Sequence, residues 1–159
     1  MEQVNERAMR IANEIVRRTA SQHYRLVLNE EREPSVTSSK IGGKPYWPVG
    51  KDFPVDDHGR KMLMVMQVNC TEAGLKSPLP ECGMLQWFIS TDPDFTYGCR
   101  GNYDQEGKGF RIVYHETIDY PAASLDVPTH DSVDEMLTPV KREVAIDVVA
   151  EPTAMGVSD

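Results

Sequence analysis

The chain has 159 residues, of which 40% are hydrophobic and 26% are charged, and its formal net charge is −8. This length and composition are those of a globular protein with a real core, so we predict a single domain over residues 1–159. The negative charge argues against binding to nucleic acid and against docking on an anionic membrane. No window is apolar enough to cross a bilayer, and charged residues near the N-terminus interrupt any signal peptide. Three cysteines, an odd number, indicate a reducing cytoplasmic location.

The first predicted element is an amphipathic helix over residues 3–18. Apolar residues recur there at helical spacing, among them Val4, Ala8, Ile11 and Ile15. Such a stripe is typical of a helix that covers one face of a sheet, so we expect this helix to pack on the strands that follow. The acidic balance of the chain disfavours the alternative, a helix that lies on a membrane surface.

Five strands are predicted after the helix. Two of them are apolar on both faces, which is typical of central strands: residues 62–69 and 84–90. The other three place apolar residues mainly on one face: residues 24–30, 109–116 and 140–149. Three methionines at alternating positions are expected to share one face and fill gaps in the core: Met62, Met64 and Met66.

Long connections rich in proline and glycine separate the predicted strands. No helix-length apolar pattern lies between strands, apart from a short turn near residues 132–137, so βαβ units are not expected. The sequence therefore predicts an α+β fold. We expect a mostly antiparallel or mixed β-sheet with the N-terminal helix packed on it and a strand-rich core over residues 24–149. Loops of this length are often functional.

The most distinctive connection is Ser39–Pro48, which holds a glycine pair, two prolines and two adjacent aromatic residues. Glycine allows backbone angles that side chains forbid, and proline holds the preceding residue in extended geometry. We therefore predict a stiff loop that binds a ligand or partner. Its candidate binding residues are Lys40, Gly42, Gly43, Lys44, Tyr46 and Trp47. The next loop adds Asp56 and His58. In the alternative reading, the two aromatic residues fill the edge of the core, since tryptophan is usually buried.

Motifs for cofactors and metals are incomplete in this chain. The Gly-Lys pair of the loop lacks the residues of a phosphate-binding loop, because Ser38 and Pro45 stand at two required positions. The calcium-like run at residues 102–107 lacks its closing glutamate, and the cysteines and histidines lack the spacing of zinc ligands. We therefore expect no cofactor and no metal. Acidic residues such as Asp56, beside His58, are typical of solvated turns, and the alternative is a cation site or an acid–base pair.

Four segments resemble, in the same order, the pattern of a known family. The loop 39–48 resembles the signature S-K-I-G-G-x-P-y-x-P. Residues 63–69, 79–89 and 110–115 resemble strands written L-x-x-Q-I-N, L-P-x-x-G-x-L-Q-F-F-I and F-R-V-x-Y-H. These patterns are those of the YwqG-like family of bacterial proteins of unknown function, and the resemblance covers residues 36–116. It implies an α+β fold in a cytoplasmic protein and assigns no activity, cofactor or catalytic residue.

Members of that family typically continue with a second Gly-Gly-x-Pro loop and a further strand. This chain lacks that second segment, so it is either truncated or a short variant. If the missing segment normally pairs with this sheet, one sheet edge is bare. A bare edge invites pairing with another chain, so we expect homo-oligomerisation through it.

Two classes of function are open at this point. The first is a non-catalytic binding or protein-interaction module whose partner is an unknown protein or small molecule. The second is a small hydrolase or transferase that uses acidic side chains with His58 or His115. A concave pocket with convergent titratable groups and a strongly shifted pKa would favour an enzyme. An exposed apolar patch rimmed by polar residues would favour a binding module.

Overall fold

In a computed structural model, the described residues are 2–19, 21–99, 109–119 and 123–153. The calcium-like run at 102–107 lies outside them. The chain divides into two compact units, Met1–Leu26 together with Val148–Asp159, and Val27–Asp147.

The N-terminal element is helix α1, Glu2–Thr19, within about one residue of its predicted bounds. Ion pairs on its surface join the Glu14 carboxylate to Arg17 at 2.8 Å and to Arg18 at 2.6 Å. The apolar side chains of Ile11 and Ile15 are exposed. The packing of α1 on the sheet stays a prediction. Within the described part of the chain, no helix is long and apolar enough to cross a membrane.

Six strands form one sheet, which confirms an α+β fold with an antiparallel sheet. The strands are β1 Ser21–Asn29, β2 Lys40–Ile41, β3 Leu63–Asn69, β4 Met84–Ile89, β5 Phe110–His115 and β6 Val144–Thr153. They hydrogen-bond in the order β1-β6-β2-β3-β4-β5. The two strands predicted to be central, β3 and β4, lie in the interior of the sheet, and β5 is an edge strand.

Two local predictions need correction, and two short helices were not predicted. The predicted loop contains strand β2, which pairs Lys40 with Gln67 of β3 and with Ala145 of β6. The last strand begins at Val144 rather than at residue 140, because the Val140 N–H donates to the Thr138 hydroxyl at 3.0 Å and not to a neighbouring strand. The turn predicted near residues 132–137 is present, and the Leu137 N–H donates to the Asp134 carbonyl oxygen at 2.9 Å. The two unpredicted helices are a 3-10 helix, His130–Ser132, and a four-residue helix α2, Cys70–Ala73, which follows β3.

A β-bulge in β3 divides the three methionines between the two faces of the sheet. Met64 pairs with Phe88 of β4, whereas Met66 pairs with Trp87. Neighbouring residues of a strand point to opposite faces, so Met64 and Met66 do so as well. The prediction that the three methionines share one face is therefore wrong, because Val65 is an extra residue in the strand.

The core lies on the face of β3 and β4 that carries Met64 and Phe88. These residues form a buried cluster with Trp47 and Met62. Partly buried apolar side chains from three further segments pack against this cluster: Phe53, Val113, Ala123 and Leu125. The opposite face of the same strands carries Met66 and Trp87, which are only half-buried.

Candidate functional site

The loop that follows β2 has the left-handed backbone that its glycine pair predicts. Gly42 and Gly43 have φ of 67° and 70°, in the left-handed region that favours glycine. A Cβ atom added at Gly42 would lie 2.6 Å from Cγ1 of Val140 and 2.9 Å from the carbonyl oxygen of Arg142. The loop therefore packs against the segment that leads into β6, and no side chain fits at its turn.

Both aromatic residues of this loop are buried, Tyr46 with 0% and Trp47 with 3% of its surface exposed. The indole N–H of Trp47 donates to the carbonyl oxygen of Lys51 at 3.0 Å, and its ring contacts the rings of Phe53 and His115. The Tyr46 hydroxyl accepts a hydrogen bond at 2.7 Å from a backbone N–H of the segment after β5. The structure thus places both rings in the core edge, where they give a partner no contact area.

Beneath the loop, two fully buried glutamines connect Tyr46 to His115. The side-chain oxygen of Gln67 accepts from the backbone N–H of Tyr46 at 2.9 Å. The side-chain NH₂ of Gln86 donates to the carbonyl oxygen of Tyr46 at 2.8 Å and to the Gln67 oxygen at 3.2 Å. These two acceptors fix the orientation of the Gln86 amide, so its oxygen faces Nε2 of His115 at 3.1 Å. Nε2 therefore carries the proton of the neutral ring.

A polar cleft of about 410 Å³ lies beside His115. Its lining residues come from the loop after Trp47 and from the end of β5: Pro48, Lys51, Tyr114, His115, Glu116, Thr117 and Asp119. Burial lowers the pKa of His115, and the nearby Lys51 ammonium lowers it further. The imidazole is therefore neutral at pH 7, with Nδ1 as its unprotonated nitrogen.

Lys40, Gly43 and Lys44 line a second cavity, of about 470 Å³. The Lys40 side chain is 2% exposed, and its ammonium donates to Glu143 at 2.7 Å. This ion pair holds strand β2 to the segment before β6. The pairing offsets much of the cost of burying the ammonium, because a buried charge is tolerated when it is paired.

Asp56 and His58, the other two candidate residues, belong to a separate group around Arg60. The guanidinium of Arg60 donates to Asp56 at 3.0 Å and also to Asp92, and it lies 2.9 Å from Nδ1 of His58. The Ser90 hydroxyl donates to Asp56 at 2.8 Å. The turn of residues 56–60 is thereby fastened to the end of β4.

The carboxylate of Asp56 is held strongly in its charged form. Its burial raises its pKa, but hydrogen bonds from the backbone and side chain of Arg60, from Ser90 and from the backbone of His58 outweigh this and lower the pKa to about 2. Ligand atoms of Asp56, His58 and Asp92 lie within 4.8 Å of one another, close enough for one cation. The Arg60 guanidinium, which bonds to all three, already supplies the positive charge in this group.

The face of the sheet that carries Met66 and Trp87 has an apolar groove of about 520 Å³. One charged residue, Arg111, lines it together with apolar residues of β2 to β5 and of the segment before β6: Ile41, Val65, Met66, Trp87, Phe88, Ile89, Phe110, Ile112, Pro139 and Val140. Phe110 and Ile112 have 50% and 58% of their surface exposed, and Ile112 is the cross-strand neighbour of Trp87.

Alternation in residues 109–116 predicted a strand with one apolar face but did not identify that face as a binding site. The alternation of apolar residues along this strand was the signal in the sequence that could have indicated the site. The exposure of the face depends on packing between distant segments, which alternation does not report. No local sequence pattern indicates that Arg60 and Asp92 lie beside Asp56.

Among curated proteins, none matches the chain. A family model matches residues 39–156, which include the loop of Gly42 and Gly43 (the glycine loop), the polar cleft beside His115 and the apolar groove. This chain therefore belongs to the family described as a domain of unknown function, DUF1963.

Proposed function

We propose that this chain is a non-catalytic binding module that holds an apolar segment of a protein partner in the groove of residues 41, 65–66, 87–89, 110–112 and 139–140. The observation that carries the proposal is the exposure of Phe110 and Ile112 beside Trp87 in a groove with almost only apolar walls. Contiguous exposed apolar surface is typical of interaction sites. Small-molecule sites, by contrast, contain several placed polar groups that orient the ligand, and this groove offers chiefly Arg111.

The polar groups of the chain support a structural role better than a catalytic one. A carboxylate with a pKa of about 2, such as Asp56, is a poor general acid or base at neutral pH. Among the described residues, the hydrogen-bond partner of the His115 ring is an amide, Gln86, and neither a hydroxyl nor a thiol. Nucleophilic catalysis needs a base bonded to its nucleophile, so a hydrolase or transferase is the weaker candidate.

We place the protein, within its family, among the YwqG-like proteins of bacteria, and we propose that it works in the cytoplasm. The four motifs at residues 39–48, 63–69, 79–89 and 110–115 support the first assignment. The second is supported by two exposed thiols without disulfide partners, Cys82 and Cys99, which are typical of a reducing compartment.

Site-specific photo-crosslinking tests the proposed groove. A benzophenone side chain replaces Ile112 in the full chain, and a matched sample carries it at Val49, an exposed apolar residue of the loop after β2. We expect a discrete crosslinked protein from position 112 and none from position 49. Once identified by mass spectrometry and purified, that protein should bind the wild-type chain. The Ile112→Glu variant should raise the Kd at least about tenfold, because a charge would enter an apolar contact.

The affinities of the variants for the crosslinked protein decide whether the groove is the binding site. Equal affinities of wild type, Ile112→Glu and Val49→Glu for the crosslinked protein would overturn the proposal. Crosslinks only between copies of the chain would do the same, since no other protein would then occupy the groove.

A further inference from the structure

The outward peptide groups of β5 have no strand partner among the described residues, although the Phe110 carbonyl oxygen accepts a hydrogen bond from the Arg111 guanidinium at 3.0 Å. The backbone N–H of Ser90 donates to the carbonyl oxygen of Gly109 at 2.8 Å, so Gly109 and every second residue after it bond to β4. The peptide groups of Phe110, Ile112 and Tyr114 therefore point away from the sheet. Among the described residues, no strand pairs with this edge.

The same three residues carry the exposed side chains of β5. Phe110, Ile112 and Tyr114 are all exposed, while the residues between them are half-buried. Exposed edges of this kind are usually short, charged or covered, and this one has a row of large apolar side chains. Its chemistry fits another apolar strand.

The sequence of β5 is complementary to itself in one antiparallel register. With a two-fold axis at Ile112, Phe110 of one copy faces Tyr114 of the other, and the two Ile112 residues face each other. All outward N–H and C=O groups then find partners. Arg111 lies opposite Val113, so no like charges meet. A shift of the axis to Arg111 would place two guanidinium groups opposite each other, which is destabilising.

We propose that two copies of this chain pair through β5 in this register and form one continuous twelve-stranded sheet. This inference goes beyond the proposed function, although the two surfaces share Phe110 and Ile112. The exposed parts of the three side chains amount to roughly 300 Å² per copy, estimated from the area that aromatic side chains bury. This is below the area of a standard stable interface, so the dimer forms in a concentration-dependent way.

Sedimentation equilibrium of the full chain over a range of concentrations, with paired charge variants, tests the register. We expect Phe110→Lys alone and Tyr114→Glu alone each to raise the dimer Kd about tenfold. The double variant should return to within about threefold of wild type, because each dimer then gains two Lys–Glu pairs across the axis. Val49→Lys serves as the matched control and should change nothing. Thermal melts verify that each variant is folded.

Amide hydrogen exchange provides the second measurement. The amides of Phe110, Ile112 and Tyr114 should become protected as concentration rises, whereas those of Arg111 and Val113 should be protected throughout. A monomer at all concentrations overturns the proposal. So does protection of the outward amides that is independent of concentration, which would mean that the chain covers its own edge. A double variant as weak as the singles rejects the register. None of these results depends on a second protein, so failure here and failure of the proposed function are distinguishable.

Discussion

Replacing Gly42 by Ala tests whether the glycine loop is held by its packing against the segment before β6. Gly42 has φ of 67°, and a Cβ there would overlap Cγ1 of Val140 and the carbonyl oxygen of Arg142. Gly50 provides a matched control, because its φ is 80° but no atom lies within 4 Å of the Cβ position. The two substitutions therefore share the backbone cost and differ in the steric one.

The expected magnitudes follow from these two costs. A left-handed backbone costs an alanine about 1 kcal/mol or slightly more relative to glycine. Forcing an extra carbon into a packed site adds about 1–3 kcal/mol. We therefore expect Gly50→Ala to reduce the free energy of unfolding by about 1 kcal/mol and Gly42→Ala by about 2–4 kcal/mol. Urea unfolding followed by tryptophan fluorescence measures both, with an unchanged m-value. Equal losses in the two variants would refute the reasoning, since packing would then contribute nothing.

Three further predictions concern charged groups. Removing the ammonium in Lys51→Ala should raise the pKa of His115, but this pKa should stay below 6.5 because the ring remains buried. NMR titration measures the pKa, and a fall in it would contradict this prediction. With a folded-state pKa of about 2 against 3.8 unfolded, Asp56 contributes about 2 kcal/mol of stability above pH 3.8, and this is lost as pH falls towards 2. In the Asp56→Asn variant, the free energy of unfolding from urea titrations should depend less on pH over that range. An unchanged slope of this free energy against pH would exclude the role of Asp56. Glu143→Gln should cost about 2–3 kcal/mol by leaving Lys40 buried without its counter-charge, whereas Lys40→Met combined with Glu143→Gln should recover most of that loss. A double variant no more stable than Glu143→Gln would disprove the pairing argument.

The elements that sequence predicts well are those with several turns or alternations of periodic pattern. Helix α1 and strands β3, β4 and β5 lie close to their predicted bounds, because hydrophobic periodicity reports which face is buried. Strand β2 has two residues, too few for any period, and its strand geometry comes from pairing with β3 and β6. The bulge at Val65 was equally hidden, since Met62, Met64 and Met66 alternate in sequence whether or not an extra residue interrupts the ladder.

Among the candidate binding residues too, features set by local sequence were predictable and features set by tertiary packing were not. Backbone chemistry predicted the positive φ of Gly42 and Gly43, because it depends on the residue itself. The surroundings of Asp56 depend on Asp92, which is distant in sequence, so no local pattern reports them. Burial of Tyr46 and Trp47 was one of two readings of the loop, and only the tertiary packing distinguishes them.

The extra residue of β3, Val65, determines which face of the sheet each of the following side chains of this strand points to. Before Val65, the even-numbered Met64 faces the core. After Val65, the odd-numbered Gln67 faces the buried amide of Gln86, and the even-numbered Met66 faces the groove. Deleting that residue would exchange the two sets, sending a hydrogen-bonded amide into solvent and a thioether into its place. The bulge at Val65 therefore sets both the buried hydrogen bonds of Gln67 and the apolar surface of the groove, and a change of register there alters both.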